Sequence, residues 1–169
     1  MIIDTDFASS FFKIGRLTLI LTALKIQYLI IPSTAYEELK KALFFDKMIP
    51  HFAFSEGDVD DTKFILLREV NLNEIKEYLE EEKMKLLGDG ELGCFLLAKK
   101  NNDTILIDDS HARKVAQDLG LKVASIPAFL SYCKKKNIIS STEIKSIIND
   151  LKEKDYYQFN SEIERKLVE

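Results

Sequence analysis

The sequence predicts an α/β protein, a three-layer α/β/α domain with a central, mostly parallel sheet and a helical C-terminal tail. From Gly88 onward, helical and strand patterns alternate, which is typical of βαβ units in a parallel sheet covered on both faces. The strand segments are short and continuously apolar, as strands buried on both faces are. The 169 residues are 46% hydrophobic and contain no linker-like segment or repeat, so we expect a single domain over residues 1–169.

The N-terminal part predicts two strands, each followed by a helix. Residues 1–5 and 28–31 are apolar runs typical of buried strands. Residues 7–26 between them are helical in pattern, and Gly15 divides this stretch into two short helices. Pro32 and the hydroxyl residues after it are the types that begin a helix, so we expect a further helix after the second strand.

The middle of the chain predicts a long loop and then a return to regular structure. Residues 46–62 contain Pro50, Gly57 and a cluster of aspartates, and we expect a mobile loop there. A strand over 64–70 and a charged helix over 73–85, capped by Asn71 or Asn73, should follow. Beyond them we expect helices at 89–100 and 110–119, strands at 104–107 and 122–125, and a helical C-terminal part over 126–169 with helices at 128–136, 141–154 and 161–168.

Composition excludes several classes of protein. The net charge of −4 argues against a surface that binds nucleic acid over its whole extent, although a local basic rim is compatible with it. No apolar stretch reaches the roughly 18 residues that a membrane-spanning helix needs, and the N-terminus shows no export signal. We therefore expect a cytoplasmic protein without membrane partners. Cys94 and Cys133 have no zinc-ligand spacing and are expected to be reduced thiols in the core.

Acidic residues follow the predicted strands at the points where the strands end. These acids are Asp4 and Asp6 after the first strand, Glu37 and Glu38 on the helix after the second, Asp89 and Glu91 at the start of the helix before 104–107, and Asp108 and Asp109 after that strand. In open parallel sheets, ligands bind beyond the carboxyl ends of the strands. We therefore expect these side chains to meet in one crevice.

Each acid alone has a structural explanation. Asp6, Asp89 and Asp109 are suitable helix N-caps, and Glu37 and Glu91 are acids that the helix dipole favours in a first turn. Four or more carboxylates in one crevice, however, repel each other unless a cation is bound. Oxygen-only ligands without histidine or cysteine suit Mg²⁺ or Mn²⁺, and such sites commonly cleave phosphate esters.

Five segments, taken in order, resemble the PIN-domain ribonucleases. They are Ile3-Asp4-Thr5-Asp6, Lys13-Ile14-Gly15-Arg16-Leu17, Ile31-Pro32-Ser33-Thr34-Ala35-Tyr36-Glu37-Glu38-Leu39, Leu87-Gly88-Asp89-Gly90-Glu91-Leu92-Gly93 and Leu106-Ile107-Asp108-Asp109-Ser110-His111-Ala112-Arg113. The match covers nearly the whole chain. It is similar to the toxin-type branch, which has a Gly-x-Gly-Glu third motif and an Asp-Asp-x-x-Ala-Arg fourth motif.

The resemblance implies four catalytic acids. Asp4 resembles the first metal-binding acid and Glu38 the second, which would orient the attacking water. Glu91 is similar to the third acid. Asp109, 18 residues after Glu91, is similar to the fourth, and this interval is usual for the family.

The resemblance also implies supporting residues. Asp108 is the adjacent candidate for the fourth acid and a further candidate metal ligand, and Glu37 is the adjacent alternative to Glu38. Asp6 stands where it could orient a water or a second metal. Arg113, one turn after Asp109, is placed to hold a carboxylate or a phosphate.

Together these features imply a metal-dependent endoribonuclease that uses Mg²⁺ or Mn²⁺ on RNA. The resemblance also suggests a toxin that a small protein antitoxin holds inactive. The alternative is a weakly catalytic or non-catalytic interaction module that retains the fold. Because the first helices carry more apolar residues than one sheet face should cover, notably Phe11, Phe12, Leu19 and Leu21, we also expect a homodimer.

Three other features have two interpretations. His111 is expected to be a solvated side chain rather than a general acid. The phenylalanines at 44, 45, 52 and 54 suit a core or an interface better than base stacking. The run Lys134–Lys136 is either a solvated helix end or part of a nucleic-acid groove.

Overall fold

The computed structural model describes all 169 residues and contains one six-stranded sheet. The strands are β1 (Ile2–Ile3), β2 (Leu29–Pro32), β3 (Phe52–Ala53), β4 (Ile65–Arg68), β5 (Thr104–Leu106) and β6 (Lys122–Ala124). All neighbouring strands are parallel, in the order β3-β4-β2-β1-β5-β6. Ile2 of the central strand β1 pairs with Ile30 and with Ile105. The predicted parallel sheet is therefore confirmed.

Ten α-helices surround the sheet. They are α1 (Thr5–Lys13), α2 (Leu17–Leu24), α3 (Ser33–Leu39), α4 (Phe45–Met48), α5 (Glu81–Met84), α6 (Asp89–Asn101), α7 (Ser110–Asp118), α8 (Ile126–Lys135), α9 (Ser141–Lys154) and α10 (Ser161–Val168). Short 3₁₀ turns cover Ile49–His51, Glu56–Asp58 and Leu72–Glu77. The predicted helical C-terminal part is thus three helices, and the break at Gly15 separates α1 from α2.

Alternating side chains of the strands form two hydrophobic cores, one on each face of the sheet. Ile3 and Leu106 belong to the larger core, which contains residues of α1, α2 and α8 to α10. Ile2, Ile105 and Ile107 belong to the smaller core, which contains residues of α6 and α7. Because successive side chains of a strand point to opposite faces, this alternation produces the three layers that the sequence predicts.

The first helices bury their apolar residues within the same chain. Phe11 is fully buried, stacks on Phe7 at 5.1 Å between ring centroids and meets the edge of Phe129 at 5.4 Å. Leu19 and Leu21 are half-buried against the larger core. The apolar surface that motivated the homodimer is therefore largely covered without a second copy, and a homodimer stays a prediction.

The loop predicted over 46–62 contains more regular structure than expected, and its mobility stays a prediction. The segment includes most of α4, two 3₁₀ turns and β3, which pairs with β4 through Phe52 with Ile65 and Ala53 with Leu66. Phe52 and Ala53 are buried, but a strand of two residues between Pro50 and a polar turn leaves no detectable period in the sequence.

The prediction of a charged helix over 73–85 is wrong. This segment forms the 3₁₀ turn Leu72–Glu77 and the single turn α5. Only two of its side chains, Ile75 and Leu79, are buried, which is too narrow an apolar face to stabilise a longer α-helix. Asn71 caps the 3₁₀ turn, since its Oδ1 accepts a hydrogen bond from the Asn73 N–H at 3.1 Å.

No single helix of the structure is long and apolar enough to cross a membrane. The pair α1 and α2 reaches such a length only when both are counted, and the two helices are bent by 110° at their junction.

Candidate active site

The carboxyl ends of β1, β2 and β5 meet beneath a group of acidic side chains. Asp4 follows β1 and precedes α1, and its N–H bonds to the Leu106 carbonyl of β5 at 2.9 Å. Glu38 is carried by α3, Glu91 by the first turn of α6, and Asp109 precedes α7. Desolvation raises the pKa values of Asp4, Asp6 and Glu91, and the negative charges of neighbouring carboxylates raise them further, as is expected of acids that lie near one another.

Asp4 is the most buried of the acids. Its exposed fraction is 4%, and no other side chain donates a hydrogen bond to it. Desolvation raises its pKa to about 7, with further contributions from the charges of Asp6 and Glu91. The N–H groups of Thr5 and Asp6 at the start of α1 only partly offset this effect. Asp4 is therefore a buried acid without a protein cation beside it.

Glu38 is held in place by helix α6. Its Oε1 accepts a hydrogen bond from the Gly90 N–H at 3.0 Å, and its Oε2 accepts one from the Thr5 hydroxyl at 3.2 Å. A Cβ atom at position 90 would clash with Glu38 Oε2 and lie 2.8 Å from Glu38 Cδ. The space for this carboxylate therefore depends on glycine at that position. The adjacent Glu37 is exposed and pairs with Lys40, so it lies on the outer rim.

Glu91 stands at the beginning of α6, where its Oε2 accepts a hydrogen bond from the Gly88 N–H at 2.8 Å. Desolvation raises its pKa, and the charges of Asp109, Glu38 and Asp6 raise it further, against the Gly88 hydrogen bond. The neighbouring Asp89 is exposed and forms no side-chain hydrogen bond as a cap. Of the two acids in this motif, Glu91 is the one that faces the other carboxylates.

The two aspartates after β5 have different surroundings. Asp109 caps α7, since its Oδ1 accepts a hydrogen bond from the Ala112 N–H at 2.7 Å, and its charge raises the pKa values of both Asp6 and Glu91. The structural explanation as a cap is thus correct, and the residue also faces the acidic group.

Both carboxylate oxygens of Asp108 bond to protein donors. Oδ1 accepts from the Ile126 N–H at 2.8 Å and Oδ2 from the Tyr157 hydroxyl at 2.6 Å. Arg113 donates to the Asp108 carbonyl and lies 3.9 Å from its carboxylate. This arrangement gives Asp108 and Arg113 a role in tying β5, α7, α8 and the tail together, and leaves Asp109 as the better-placed candidate for the fourth acid.

An open pocket of about 380 Å³ adjoins the acidic group, with Asp6 and Asp109 in its wall. Asp6 is exposed at its mouth; partial desolvation raises its pKa, followed by the charges of Asp155, Asp109 and Glu38, while Lys13 lowers it. The opposite wall contains Lys13 and Asp155, whose Nζ and Oδ1 atoms are 2.6 Å apart.

Sequence reasoning did not find Asp155, Ser10 or Tyr157. The Ser10 hydroxyl donates to Asp155, and Tyr157 donates to Asp108 across 49 positions of the chain. These contacts join segments that are distant in sequence, so no local spacing indicates them. The only available signal is a serine on the buried face of α1, which needs a hydrogen-bond partner.

The other residues with two interpretations are mostly structural. His111 is exposed and forms no hydrogen bond through its ring. Phe52 is buried, whereas Phe54 is exposed. Lys134 donates to the carbonyls of Lys166 and Leu167 at 3.2 and 3.1 Å and so stabilises the end of α10.

The carboxylate oxygens of these acids are ligands that a hard divalent cation prefers. Their side chains, however, are not arranged to coordinate one ion together. No three His, Cys, Asp or Glu side chains are arranged to hold a common metal ion, and Glu38 and Glu91 are directed at backbone N–H groups. The buried Asp4, surrounded by other carboxylates, is nevertheless the environment that oxygen-preferring Mg²⁺ or Mn²⁺ would stabilise.

A family model described as PIN domain matches residues 1–169, and the chain belongs to that family. PIN domains are generally nucleases that use divalent metals, so membership indicates a nuclease-type function on nucleic acid. No curated protein and no solved structure matches the chain.

Proposed function

We propose that this protein is a metal-dependent endoribonuclease. Asp4, Glu91 and Asp109 bind Mg²⁺ or Mn²⁺, directly or through water, and Glu38 orients the attacking water. The proposal depends most on one observation, which is that Asp4 is 4% exposed, has no cationic partner and faces other carboxylates. Burying an acid in this way is costly unless a ligand compensates for it.

A bound divalent ion would lower the pKa of a water molecule and neutralise charge on the phosphate. The chain supplies the positioning. Glu38 keeps unused lone pairs on both oxygens beyond its bonds to Gly90 and Thr5, and these can accept a hydrogen bond from the attacking water. Attack in line forms a new P–O bond and breaks the bond to the 3′ oxygen, which takes a proton. The products are a 5′-phosphate and a 3′-hydroxyl.

The test is cleavage of a mixture of structured and unstructured RNAs by the purified protein with Mn²⁺, compared with the Asp4→Asn variant. We expect cleavage by the wild type, chelator-sensitive, with 5′-phosphate ends. Cleavage that is equal in the two proteins, or unaffected by a chelator, would contradict the proposal.

We extend the proposal to partners and location. RNA is the substrate, a small protein antitoxin inhibits the enzyme, and the protein acts in the cytoplasm as a homodimer. Light scattering at micromolar concentration tests the dimer, and a monomer mass would contradict it. Co-purification from the native host tests the antitoxin, because a stoichiometric small protein should suppress the cleavage.

A second candidate function is an interaction module that keeps the PIN fold with little or no catalysis. The observation that favours it is that two of the four proposed acids, Glu38 and Glu91, already accept backbone hydrogen bonds. This candidate predicts RNA or protein binding without a change in RNA length. The cleavage assay with Mn²⁺ separates the two, since the module leaves RNA uncut even where its acidic residues still bind the ion.

A further inference from the structure

The turn that follows α9 directs the side chains of Asp155 and Tyr157 toward the open pocket beside the acidic group, which we call the acidic pocket. The Tyr156 side chain between them is left in solvent. Asp155 accepts hydrogen bonds from Ser10 and Lys13, and Tyr157 donates one to Asp108. Both Asp155 and Tyr157 line the pocket. Tyr156 lies between them, and its Cα is therefore about 3.8 Å from the Cα atoms of two pocket-lining residues.

Tyr156 has a backbone conformation that an aromatic residue rarely adopts. Its φ is +54°, in the left-handed region, where it ends α9, and the Tyr157 N–H closes the turn on the Leu151 carbonyl at 3.1 Å. Glycine or asparagine is usual at this position of a helix end. The other residues of the chain in this conformation are Gly15, Gly120, Asn102, Asn137 and Lys25, and Tyr156 is the only aromatic residue among them.

The ring of Tyr156 belongs to neither of the two hydrophobic cores. Its exposed fraction is 84%, and it packs against no other aromatic ring, whereas Tyr157 packs against Phe159. Its neighbours Lys154 and Gln158 are exposed and polar. A protein-binding anchor usually lies within a larger dry contact surface, and these polar neighbours do not provide one.

We propose that Tyr156 stacks on an unpaired base of the RNA bound at the acidic pocket. The inference rests on the proposed function, because it needs a phosphate of the same strand at the neighbouring carboxylates. A flat exposed ring stacks on any base face without apolar surroundings. The strand must be unpaired there, since bases within a duplex are not free to stack on a side chain. Tyr156 is therefore a substrate-binding residue that favours single-stranded RNA.

The absence of tryptophan from the chain permits a direct test. The Tyr156→Trp substitution creates a single fluorescent tryptophan at this position. The experiment titrates it with a short unstructured RNA in millimolar Mg²⁺, in the Glu38→Gln background to slow cleavage. We expect quenching that saturates with RNA. The matched control is Tyr78→Trp, at an exposed tyrosine beside Phe95 of the smaller core, where we expect no quenching.

A second pair of variants separates binding from folding. In the same background, Tyr156→Gly should weaken single-stranded RNA binding about tenfold, the loss expected for one base stack. It should leave the melting temperature equal or higher, because glycine adopts φ +54° without strain. The control Asn137→Gly, at another left-handed helix end outside the pocket, should leave RNA affinity unchanged. Fully paired RNA should bind the Tyr156→Gly protein and its parent equally.

Unquenched fluorescence of the Tyr156→Trp protein, together with unchanged RNA affinity of Tyr156→Gly, would overturn the inference. If the wild type still cleaves RNA in that case, the proposed function stands without it. If the wild type neither binds nor cleaves RNA, both are overturned. Equal weakening of single-stranded and paired RNA by Tyr156→Gly would also overturn the base-stacking role.

Discussion

The acidic crevice has two walls that are built in different ways. The first wall, formed by Glu38 of α3 and Glu91 of α6, accepts hydrogen bonds from the N–H groups of Gly90 and Gly88 and from the Thr5 hydroxyl, and Glu38 fills space that only a glycine at position 90 leaves free. In the second wall, backbone N–H groups also hold Asp109 and Asp108, but Asp108 accepts a further hydrogen bond from Tyr157, a residue of the distant C-terminal tail. The first wall should therefore be sensitive to a Cβ at position 90, and the second to loss of the Tyr157 hydroxyl.

The largest effect should come from Asp4, at the junction of the two walls, and from Asp109 of the second wall. Asp4→Asn and Asp109→Asn should each lower metal-dependent RNA cleavage at least about a hundredfold, because each removes a charge that would fix the metal. Initial rates with Mn²⁺ measure this, and circular dichroism checks that the fold is kept.

The neighbouring aspartate is the control for the second wall. Asp108→Ala should lose less activity than Asp109→Ala, since both Asp108 oxygens already bond to protein groups. An inactive Asp108→Ala beside an active Asp109→Ala would assign the fourth acid to position 108.

The next effect tests the first wall. Gly90→Ala would place a Cβ 2.8 Å from Glu38 Cδ and closer still to Oε2, so the carboxylate or the helix must move. We expect cleavage to fall about ten- to hundredfold and stability to fall by about 1–3 kcal/mol, as overpacking typically costs. Kinetics and urea unfolding measure the two effects.

Gly57→Ala is the matched control for Gly90→Ala. A Cβ there would meet only the Ser55 hydroxyl, at 3.8 Å, and we expect unchanged cleavage. If Gly90→Ala cleaves as fast as the wild type, Glu38 does not need its present position and is not the residue that orients the water.

A smaller effect is expected from loss of the hydrogen bond that Tyr157 donates to Asp108 in the second wall. Tyr157→Phe removes one hydroxyl and leaves Asp108 with one fewer donor. We expect a loss of about 1 kcal/mol in stability, typical of a single hydrogen bond, and a cleavage rate a few-fold lower, with kcat more affected than KM. Tyr132→Phe, at an exposed tyrosine whose hydroxyl forms no hydrogen bond with the protein, should change neither quantity. A KM effect without a kcat effect would mean that Tyr157 contacts substrate instead of positioning the acids.

The residues of the two walls also show which parts of the candidate site the sequence could predict. Glu91 and the capping aspartate at 109 lie within short motifs, where each residue type has a local reason to be present, whereas the need for glycine at position 90 comes from the distant Glu38. The alternation of helix and strand after Gly88 likewise comes from local periodicity, so that half of the fold is predicted closely. Asp155 and Tyr157 act on Ser10 and Asp108 from a distant segment, and no periodicity or spacing encodes that contact.

The segments whose predictions are wrong share one physical cause. The strand β3 consists of Phe52 and Ala53 alone and is stabilised by pairing with β4, so its conformation depends on a tertiary partner. The stretch after Asn71 has good helix formers but few buried apolar side chains, and it forms only a short 3₁₀ segment and one α-helical turn. In both cases packing outweighs local preference.

The smallest effect concerns Asp4, at the junction of the two walls, in the absence of RNA. Its pKa is raised from 3.8 to about 7 in the folded protein, so the folded state binds a proton more tightly than the unfolded chain. The contribution of Asp4 to stability is therefore fully present below about pH 3.8, and it is lost as the pH rises toward 7. At neutral pH without metal, Asp4→Asn should melt at or above the wild-type temperature, because it removes a buried charge.

Added Mn²⁺ should reverse this order at neutral pH. By mass action on the folded state it should raise the melting temperature of the wild type by a few degrees, and by less near pH 5, where protons compete for Asp4. Asp4→Asn should gain little at either pH. Thermal unfolding of both proteins, with and without Mn²⁺ at the two pH values, measures this. An equal response of the two proteins to Mn²⁺, or a metal-free variant clearly less stable than the wild type, would mean that Asp4 serves the start of α1 and that the walls do not share a cation.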